Sequence, residues 1–328
     1  MSDRVLLLTD AAMDRHAAHG HPERPERREA IAAGVREGAG DRLVEVGARL
    51  ARDEEVLRIH DPEQVARLRA LEAAGGSWPD PDTYVVPGSC EAAWRAAGAT
   101  IDGALAVARG EAAVAFAVVR PPGHHVGRGW PTGFCLLNNV ALAVAALRAE
   151  RGMRRVAIVD WDVHHGNGTQ EIFDADADLF YASTHQWPLY PGTGLPEERG
   201  AGAGRGTKWN HPLPPGSGDG AFVSAWVDEL LPEMEAFEPE AVLVSAGYDA
   251  HRADPLAELD VTEDGYRSVA TAVGEMARRL GHPGVALTLE GGYDLDAIRA
   301  SAAATVGGLL AGLGIGPFGS SRERPAGG

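Results

Sequence analysis

VAIVDWDVHHGNGT, residues 156–169, joins a short apolar run to a dense group of ionisable side chains. The run VAIV is rich in β-branched residues, which favour a buried strand. Two carboxylates, two imidazoles and an amide follow within eight positions, 160–167. Open α/β sheets place their ligand sites just beyond the carboxyl ends of parallel strands. The stretch therefore predicts a functional site at the end of a parallel strand.

Similar runs recur along the chain and alternate with Ala-rich stretches of helical spacing. The strand-like runs are VLLLTD, AAVAFAVVRPP, RRVAIVDWD, ADLFYAST, EAVLVSAGYD and GVALTLEGGYD, and two of the helical stretches are CEAAWRAAGATIDGALAVARG and AFVSAWVDELLPEMEAF. This alternation predicts an α/β fold with a mainly parallel central sheet flanked by helices on both faces. We expect a single catalytic domain over residues 1–315 and a flexible C-terminal tail over 316–328, with the long Gly- and Pro-rich connection 186–220 forming walls of the site.

Composition and charge narrow the possible partners. The 328 residues carry 30 Lys plus Arg against 47 Asp plus Glu, a formal charge of −17 that disfavours nucleic acid, although the acidity could serve solubility alone. No stretch reaches the roughly 18 uncharged residues that a membrane crossing needs. The N-terminus lacks a signal-peptide pattern, and the two cysteines, Cys90 and Cys135, stand in unrelated contexts. We expect a cytoplasmic protein.

Three residues are candidates for a metal site. Asp162 and His164 lie two apart, so an extended backbone directs both side chains to one side. Asp249 ends another strand-like run and offers a third ligand. Two carboxylates and one imidazole suit zinc, and three protein ligands leave one position open, as in catalytic zinc sites. The alternative is that Asp162 caps a helix and His164 is a hydrogen-bonded core histidine.

Other ionisable residues follow neighbouring runs. His124 and His125 stand on a Pro-Gly turn, and next to a metal one histidine could transfer a proton while the other stabilises charge. Asp160 and Asn167 are candidates to fix the two imidazoles by hydrogen bonds. Tyr293 of LEGGYD could donate a hydrogen bond to a developing oxyanion, although a lone tyrosine is more often a packing residue.

Together these segments resemble the zinc-dependent histone deacetylase family, which includes bacterial acetylpolyamine amidohydrolases and acetoin-utilisation proteins and shares the arginase/deacetylase fold. The likeness extends from HGHPERPERR at residue 19 to GGYDLDAI near residue 298. It implies one catalytic zinc ion on Asp162, His164 and Asp249. It further implies that His125 is the general base and then acid, that His124 is its electrostatic partner, and that Tyr293 polarises the scissile carbonyl. By the same likeness Asp160 supports His124 and Asn167 supports His125, the asparagine following the class II-like pattern.

The likeness also implies a substrate tunnel and a second ion. The substrate-binding residues that the likeness implies for this tunnel are Asp82, Gly133, Phe134, Tyr190 and Leu256. A potassium ion is implied at Asp160, Asp162, His164, Ser183 and Thr184. Arg27 is implied at an acetate exit channel, whereas a plain reading of HGHPERPERR is a solvated loop before a helix, and we expect His16, His19 and His21 to face solvent.

The predicted reaction is hydrolysis of an amide, in which acetyl or other short acyl groups are removed from acylated amines such as acetyl-lysine or acetylpolyamines. Two alternatives stay open. A two-manganese arginase-like ureohydrolase needs further bridging carboxylates, but Gly166 and Gly247 stand where these would be expected. A catalytically silent module that binds acylated ligands would need only part of this residue set. The acyl-chain length and the preference for protein or metabolite are open, and homo-oligomerisation is possible.

Overall fold

A computed structural model describes residues 2–316 of the chain. Its strands are β1 Val5–Thr9, β2 Leu43–Gly47, β3 Ser77–Asp80, β4 Thr83–Val85, β5 Val114–Ala117, β6 Val156–Asp160, β7 Leu179–Gln186, β8 Lys208–Leu213, β9 Ala241–Ala246 and β10 Val285–Leu289. Eight of them form one sheet in the order β2-β1-β5-β10-β9-β6-β7-β8, and every neighbouring pair is parallel. Strands β3 and β4 form a separate antiparallel pair. The predicted α/β class and parallel sheet are confirmed.

Helices connect the strands. They are α1 Glu26–Ala39, α2 Asp53–Val56, α3 Pro62–Ala73, α4 Ser89–Ala108, α5 Asn139–Arg151, α6 Asn167–Phe173, α7 Asp219–Ser224, α8 Leu231–Ala236, α9 Glu263–Arg279 and α10 Leu295–Gly312, with a π-helical segment Ala225–Leu230 between α7 and α8 and 3₁₀ turns at Ala11–Arg15, Gly40–Arg42 and Gly202–Gly204. One layer contains α4 packed on α5, and the other contains α10 packed between α1 and α9. Within residues 2–316, no helix combines the length and apolarity needed to span a membrane.

The central strands are apolar because helices cover both of their faces. In β5, β6, β7 and β10 every residue is buried, which explains continuous apolar runs rather than the alternation of a one-sided sheet. Helix α9 shows the complementary helical pattern, since it buries Tyr266, Val269, Ala270 and Val273 at three- and four-residue intervals.

The two edge strands of the sheet, β2 and β8, were not predicted from the sequence. All six predicted strand-like runs form strands, but β8 lies inside the connection 186–220, which we expected to be loop throughout. Its sequence KWNHPL contains a proline and polar residues, which an edge strand tolerates because one side of its backbone is unpaired. Strand β2 is the opposite edge and is largely exposed, so its sequence lacks a buried run. The expected tail at 316–328 lies outside the described residues, except for Gly316.

The strand order gathers the candidate residues. Strands β5, β10, β9 and β6 are consecutive in the sheet although β6 precedes β9 and β10 in the chain. Because all of them are parallel, their carboxyl ends meet at one edge, where open α/β sheets bind ligands.

Candidate active site

Three candidate metal ligands converge at the ends of β6 and β9. Asp162 and His164 follow β6, and Asp249 follows the neighbouring β9. One ligand atom from each lies within 4.8 Å of the others. The Nδ1 atom of His164 is 3.1 Å from Asp162 Oδ1 and 3.2 Å from Asp249 Oδ2, and both carboxylates are fully buried.

The donor set fits a cation. Asp249 Oδ2 accepts no hydrogen bond of good geometry, although it is buried and close to His164. Burial alone would lower the pKa of His164, but Asp162 and Asp249 raise it to about 10. Two buried carboxylates that hold a proton this strongly also favour a metal ion, and two oxygens with one imidazole nitrogen are ligands that zinc accepts.

Backbone contacts hold the carboxylates in place. Asp162 Oδ2 accepts the Gly291 N–H at 2.7 Å, and Asp249 Oδ1 accepts the Val163 N–H at 2.9 Å. A Cβ atom on Gly291 would lie 2.0 Å from Asp249 Oδ2, and one on Gly247 would lie 2.1 Å from Asp162 Oδ2. The close approach of backbone to both carboxylates therefore requires glycine at these positions. Asp162 does not cap a helix, because α6 begins after Gly166.

The adjacent histidines differ in charge state. His124 Nδ1 lies 3.1 Å from Asp160 Oδ2, and His125 Nδ1 lies 2.8 Å from the amide oxygen of Asn167. Burial would lower the pKa of His124, but Asp162 and Asp160 raise it to about 10. Burial and the charges of His124 and His164 hold the pKa of His125 well below its usual value. Because the amide oxygen only accepts, His125 carries its proton on Nδ1, and its Nε2 lone pair is free.

A cavity of about 230 Å³ opens onto these groups. It is lined by Asp82, Pro122, His124, His125, Gly133, Phe134, Asp162, His164, Leu189, Tyr190, Leu256, Gly291 and Tyr293. All five residues expected to bind substrate belong to this lining. The Phe134 ring meets Tyr293 edge-on at 5.9 Å between centroids, and Tyr190 meets His125 at 5.1 Å.

A strained turn presents Phe134 to the cavity. Phe134 has φ 66°, a left-handed conformation that is unusual for a bulky residue, and Gly133 before it has φ 57°. The Phe134 N–H donates to the Thr83 hydroxyl at 2.9 Å, which ties the turn to β4. A Cβ on Gly133 would lie 2.5 Å from the His125 ring, so glycine is required beside the histidine pair.

Of the residues implied for potassium, Asp162 and His164 line the cavity, whereas Asp160, Ser183 and Thr184 do not. Ser183 is opposite Asp160 in the β6–β7 pairing. Its hydroxyl bonds His185 Nδ1 at 2.9 Å, and the Thr184 hydroxyl accepts from the Trp226 indole at 3.0 Å. The two side chains are buried on β7.

The expectation that the N-terminal histidines face solvent is wrong for two of three. His16 is buried, where it stacks on Tyr84 and bonds the Ser89 hydroxyl at 2.7 Å. His21 is half-buried and meets Phe134 edge-on at 4.6 Å. His19 alone is exposed.

The segment around these histidines is also not a plain solvated loop. Glu23 is fully buried between Arg27 and Arg120 and forms ion pairs with both. Burial would raise the pKa of Glu23, but the two arginines lower it to about 2. The guanidinium of Arg27 also lies 4.8 Å from the centre of the Tyr293 ring.

Sequence reasoning missed two buried acids near the site. Glu290 accepts the N–H groups of Gly123 and His124 at 2.7 and 3.1 Å, and so fixes the turn that carries the histidines. Asp254 accepts the Tyr293 N–H at 2.7 Å. Burial first, and then the charge of Asp249, raises the pKa of Asp254 to about 7. Both acids follow strands at the carboxyl edge of the sheet, which is the signal that could have identified them.

A parallel sheet that presents a cation-fitting triad, a neutral histidine and a phenol at one cavity is typical of enzymes that activate water against an amide. A family model described as the histone deacetylase domain matches residues 21–309. The chain therefore belongs to the histone deacetylase family, with the arginase/deacetylase fold, and the expected enzyme class, a deacetylase, is confirmed.

Individual relatives agree with the family assignment. The chain is 42% identical over 282 residues to a probable deacetylase of Archaeoglobus fulgidus, covering 84% of this chain and 78% of that protein. It is 39% identical over 279 residues to a histone deacetylase-like amidohydrolase of Pseudomonas aeruginosa, covering 84% and 73%. The crystal structure of the HDA15 HD domain matches with a TM-score of 0.88 at 37% identity, covering 96% of this chain and 94% of that one.

Proposed function

We propose that residues 1–315 form a metal-dependent amidohydrolase that removes acetyl or other short acyl groups from acylated amines, such as acetyl-lysine or acetylpolyamines. The observation that carries the proposal is that a neutral His125, the Tyr293 phenol and two members of the Asp162–His164–Asp249 triad, Asp162 and His164, line one cavity of about 230 Å³.

We assign the triad to one divalent cation, zinc by the chemistry of its donors. A zinc ion at such a site polarises a carbonyl and lowers the pKa of water to roughly 7. Asp162 and Asp249 supply two negative charges for it, and His164 supplies the imidazole. The family likeness and the pairing of Asp160 with Ser183 support a potassium ion behind this triad, at Asp160, Asp162, His164, Ser183 and Thr184.

His125 is the residue that transfers the proton, first as general base and then as general acid. Its free Nε2 accepts a proton as water oxygen bonds to the carbonyl carbon, and Asn167 stabilises the resulting ring through Nδ1. His125 then gives that proton to the amine nitrogen as the C–N bond breaks, so the products are a carboxylate and an amine. The positive charge on His124, maintained by Asp160 and Asp162, stabilises the negative charge that develops beside it.

Tyr293 and the cavity walls orient the substrate. The Tyr293 hydroxyl donates to the carbonyl oxygen as negative charge builds on it. Phe134 and Tyr190 offer ring surfaces to a methylene chain, and Leu256 and Asp82 line the same cavity.

Two alternatives are less well supported. A two-manganese ureohydrolase needs a second set of ligands, but residues 2–316 contain one cluster of three or more His, Cys, Asp or Glu side chains able to hold a metal. A silent binding module would not need a neutral His125 beside a positive His124. We also infer a cytoplasmic location, for which the similarity to bacterial and archaeal deacetylases is the support.

The test is turnover by the zinc-loaded enzyme on a panel of acetyl-lysine peptides, acetylpolyamines and longer acyl-lysines, with Tyr293→Phe alongside. Loss of one oxyanion donor should lower kcat about a hundredfold, or about 3 kcal/mol, with little change in substrate affinity. Binding without hydrolysis by the wild type would instead identify a binding module. Undiminished turnover by Tyr293→Phe would refute the role given to the phenol.

A further inference from the structure

Asp254 connects two residues of the cavity wall. It follows β9 and is 7% exposed, so its carboxylate is largely removed from water. Oδ2 accepts the Tyr293 N–H at 2.7 Å, and Oδ1 accepts the Leu256 N–H at 2.9 Å. Tyr293 and Leu256 both line the cavity, whereas Asp254 does not. One buried side chain thus bonds the backbone of two residues of the cavity wall, Tyr293 and Leu256.

The Tyr293 side chain has few other constraints. Among residues 2–316, its hydroxyl has no hydrogen-bond partner, so it is available to a substrate. The ring has an edge contact with Phe134 and a guanidinium, that of Arg27, over its face. Arg27 also donates from Nε to the carbonyl of Gly292, in the same peptide as the Tyr293 N–H, and Gly292 has φ 111°, which only glycine adopts without strain. The position of the phenol therefore depends on how the backbone is held.

We propose that Asp254 is a positioning residue, which holds the Tyr293 phenol at the reacting carbonyl and fixes the Leu256 wall with the same carboxylate. This inference rests on the proposed function, because it needs a reaction in which Tyr293 takes part. Both hydrogen bonds are largely removed from water, and a buried backbone N–H group that loses its acceptor is costly, so these bonds favour one position of the segment that carries the phenol. A displacement of about 1 Å in a catalytic group can cost a hundredfold in rate.

The test uses Asp254→Asn with a matched control, Asp219→Asn. Asparagine keeps the shape but places an NH₂ group against one of the two backbone N–H donors. Asp219 makes a similar pair of bonds elsewhere, since it accepts the Thr262 N–H at 2.7 Å and the Thr262 hydroxyl at 2.6 Å, and it does not line the cavity. We expect Asp254→Asn to lower kcat tenfold or more at unchanged metal content, and Asp219→Asn to leave kcat within twofold.

A double-mutant cycle distinguishes an effect of Asp254 through Tyr293 from an unspecific loss of activity. If Asp254 acts through the phenol, adding Asp254→Asn to Tyr293→Phe should lower kcat less than twofold further. An equal fold-loss in both backgrounds, a loss of bound metal in Asp254→Asn, or an equal effect of the two asparagine variants overturns the inference.

A second variant covers the case in which Asp254→Asn does not fold. Asp254→Glu keeps the carboxyl group but moves its oxygens, so we expect a folded enzyme with lowered kcat; wild-type kcat in this variant also overturns the inference. These outcomes differ from failure of the proposed function, which would appear as a wild-type enzyme that hydrolyses no acylated amine, or as a Tyr293→Phe enzyme with undiminished kcat.

Discussion

The different roles proposed for the adjacent imidazoles of His124 and His125 follow from the single side chain that each one bonds. His124 has a carboxylate partner, Asp160, and its pKa is raised, whereas His125 has an amide partner, Asn167, and its pKa is lowered by burial and by neighbouring positive charge. A general base must be neutral before the reaction, so the amide partner suits the role proposed for His125.

This contrast predicts the effect of Asn167→Asp. A carboxylate beside His125 favours the imidazolium form and raises the pKa of His125. Since only the neutral form accepts a proton, activity should then be lost at a higher pH on the acidic side. The measurement is kcat/KM against pH with metal content held constant, and we expect the acidic limb to move upward. An unmoved limb would show that Asn167 does not set the pKa of the base.

At the residue scale, the sequence indicated side chains that the structure brings close together, but not the residues that hold their backbone in place. Asp162, His164, Asp249, His125 and Tyr293 were identified because each follows a recognisable run and carries a side chain suited to the chemistry. Glu290 and Asp254 were not, because their importance lies in backbone N–H groups that they accept from distant residues.

Secondary-structure elements bring the site residues together. The connection between β10 and α10 is packed closely against two of the candidate metal ligands, Asp162 and Asp249. Gly291 donates its N–H to Asp162 and lies against Asp249, whereas the next residues carry the phenol into the cavity and cap α10 through Asp294. Metal ligands and phenol are thus supported by one short connection between β10 and α10.

Gly291→Ala should therefore disrupt the metal triad. Its Cβ would lie 2.0 Å from Asp249 Oδ2 and 2.6 Å from Asp162 Oδ2, so the two carboxylates must separate. We expect zinc affinity to fall at least tenfold, as when partners that orient metal ligands are removed, measured by competition with a chromophoric chelator. Gly220→Ala is the matched control, because its Cβ would meet no atom within 4 Å apart from its chain neighbours and the nearby backbone of its own helix. Equal zinc affinity of the two variants would contradict this description of the turn.

At this scale, prediction succeeded in the centre of the sheet and failed at its margins. Buried parallel strands have apolar runs that can be recognised, whereas the edge strands β2 and β8 are exposed or polar. The burial of Glu23 was not predicted for another reason. Its partner Arg120 is 97 residues away, and no local sequence pattern marks the pair.

The molecule as a whole is acidic, with a formal charge of −17, and it concentrates buried carboxylates where strands of a parallel sheet end. A field of this sign attracts cations and cationic amines. The class of fold could be predicted from alternating runs, and the family from motif order. The strand order, which makes β6 and β9 neighbours and so assembles the triad, became clear only from the structure.

The account depends most on one divalent ion bound by Asp162, His164 and Asp249. The direct test is metal content per chain, measured by mass spectrometry beside acetyl-lysine turnover, for the zinc-loaded enzyme, the chelated enzyme and Asp249→Ala. We predict one ion per chain with turnover, loss of both on chelation, return of both with one equivalent of zinc, and neither in Asp249→Ala. Turnover that persists in metal-free enzyme, or in Asp249→Ala without a bound ion, would contradict the account.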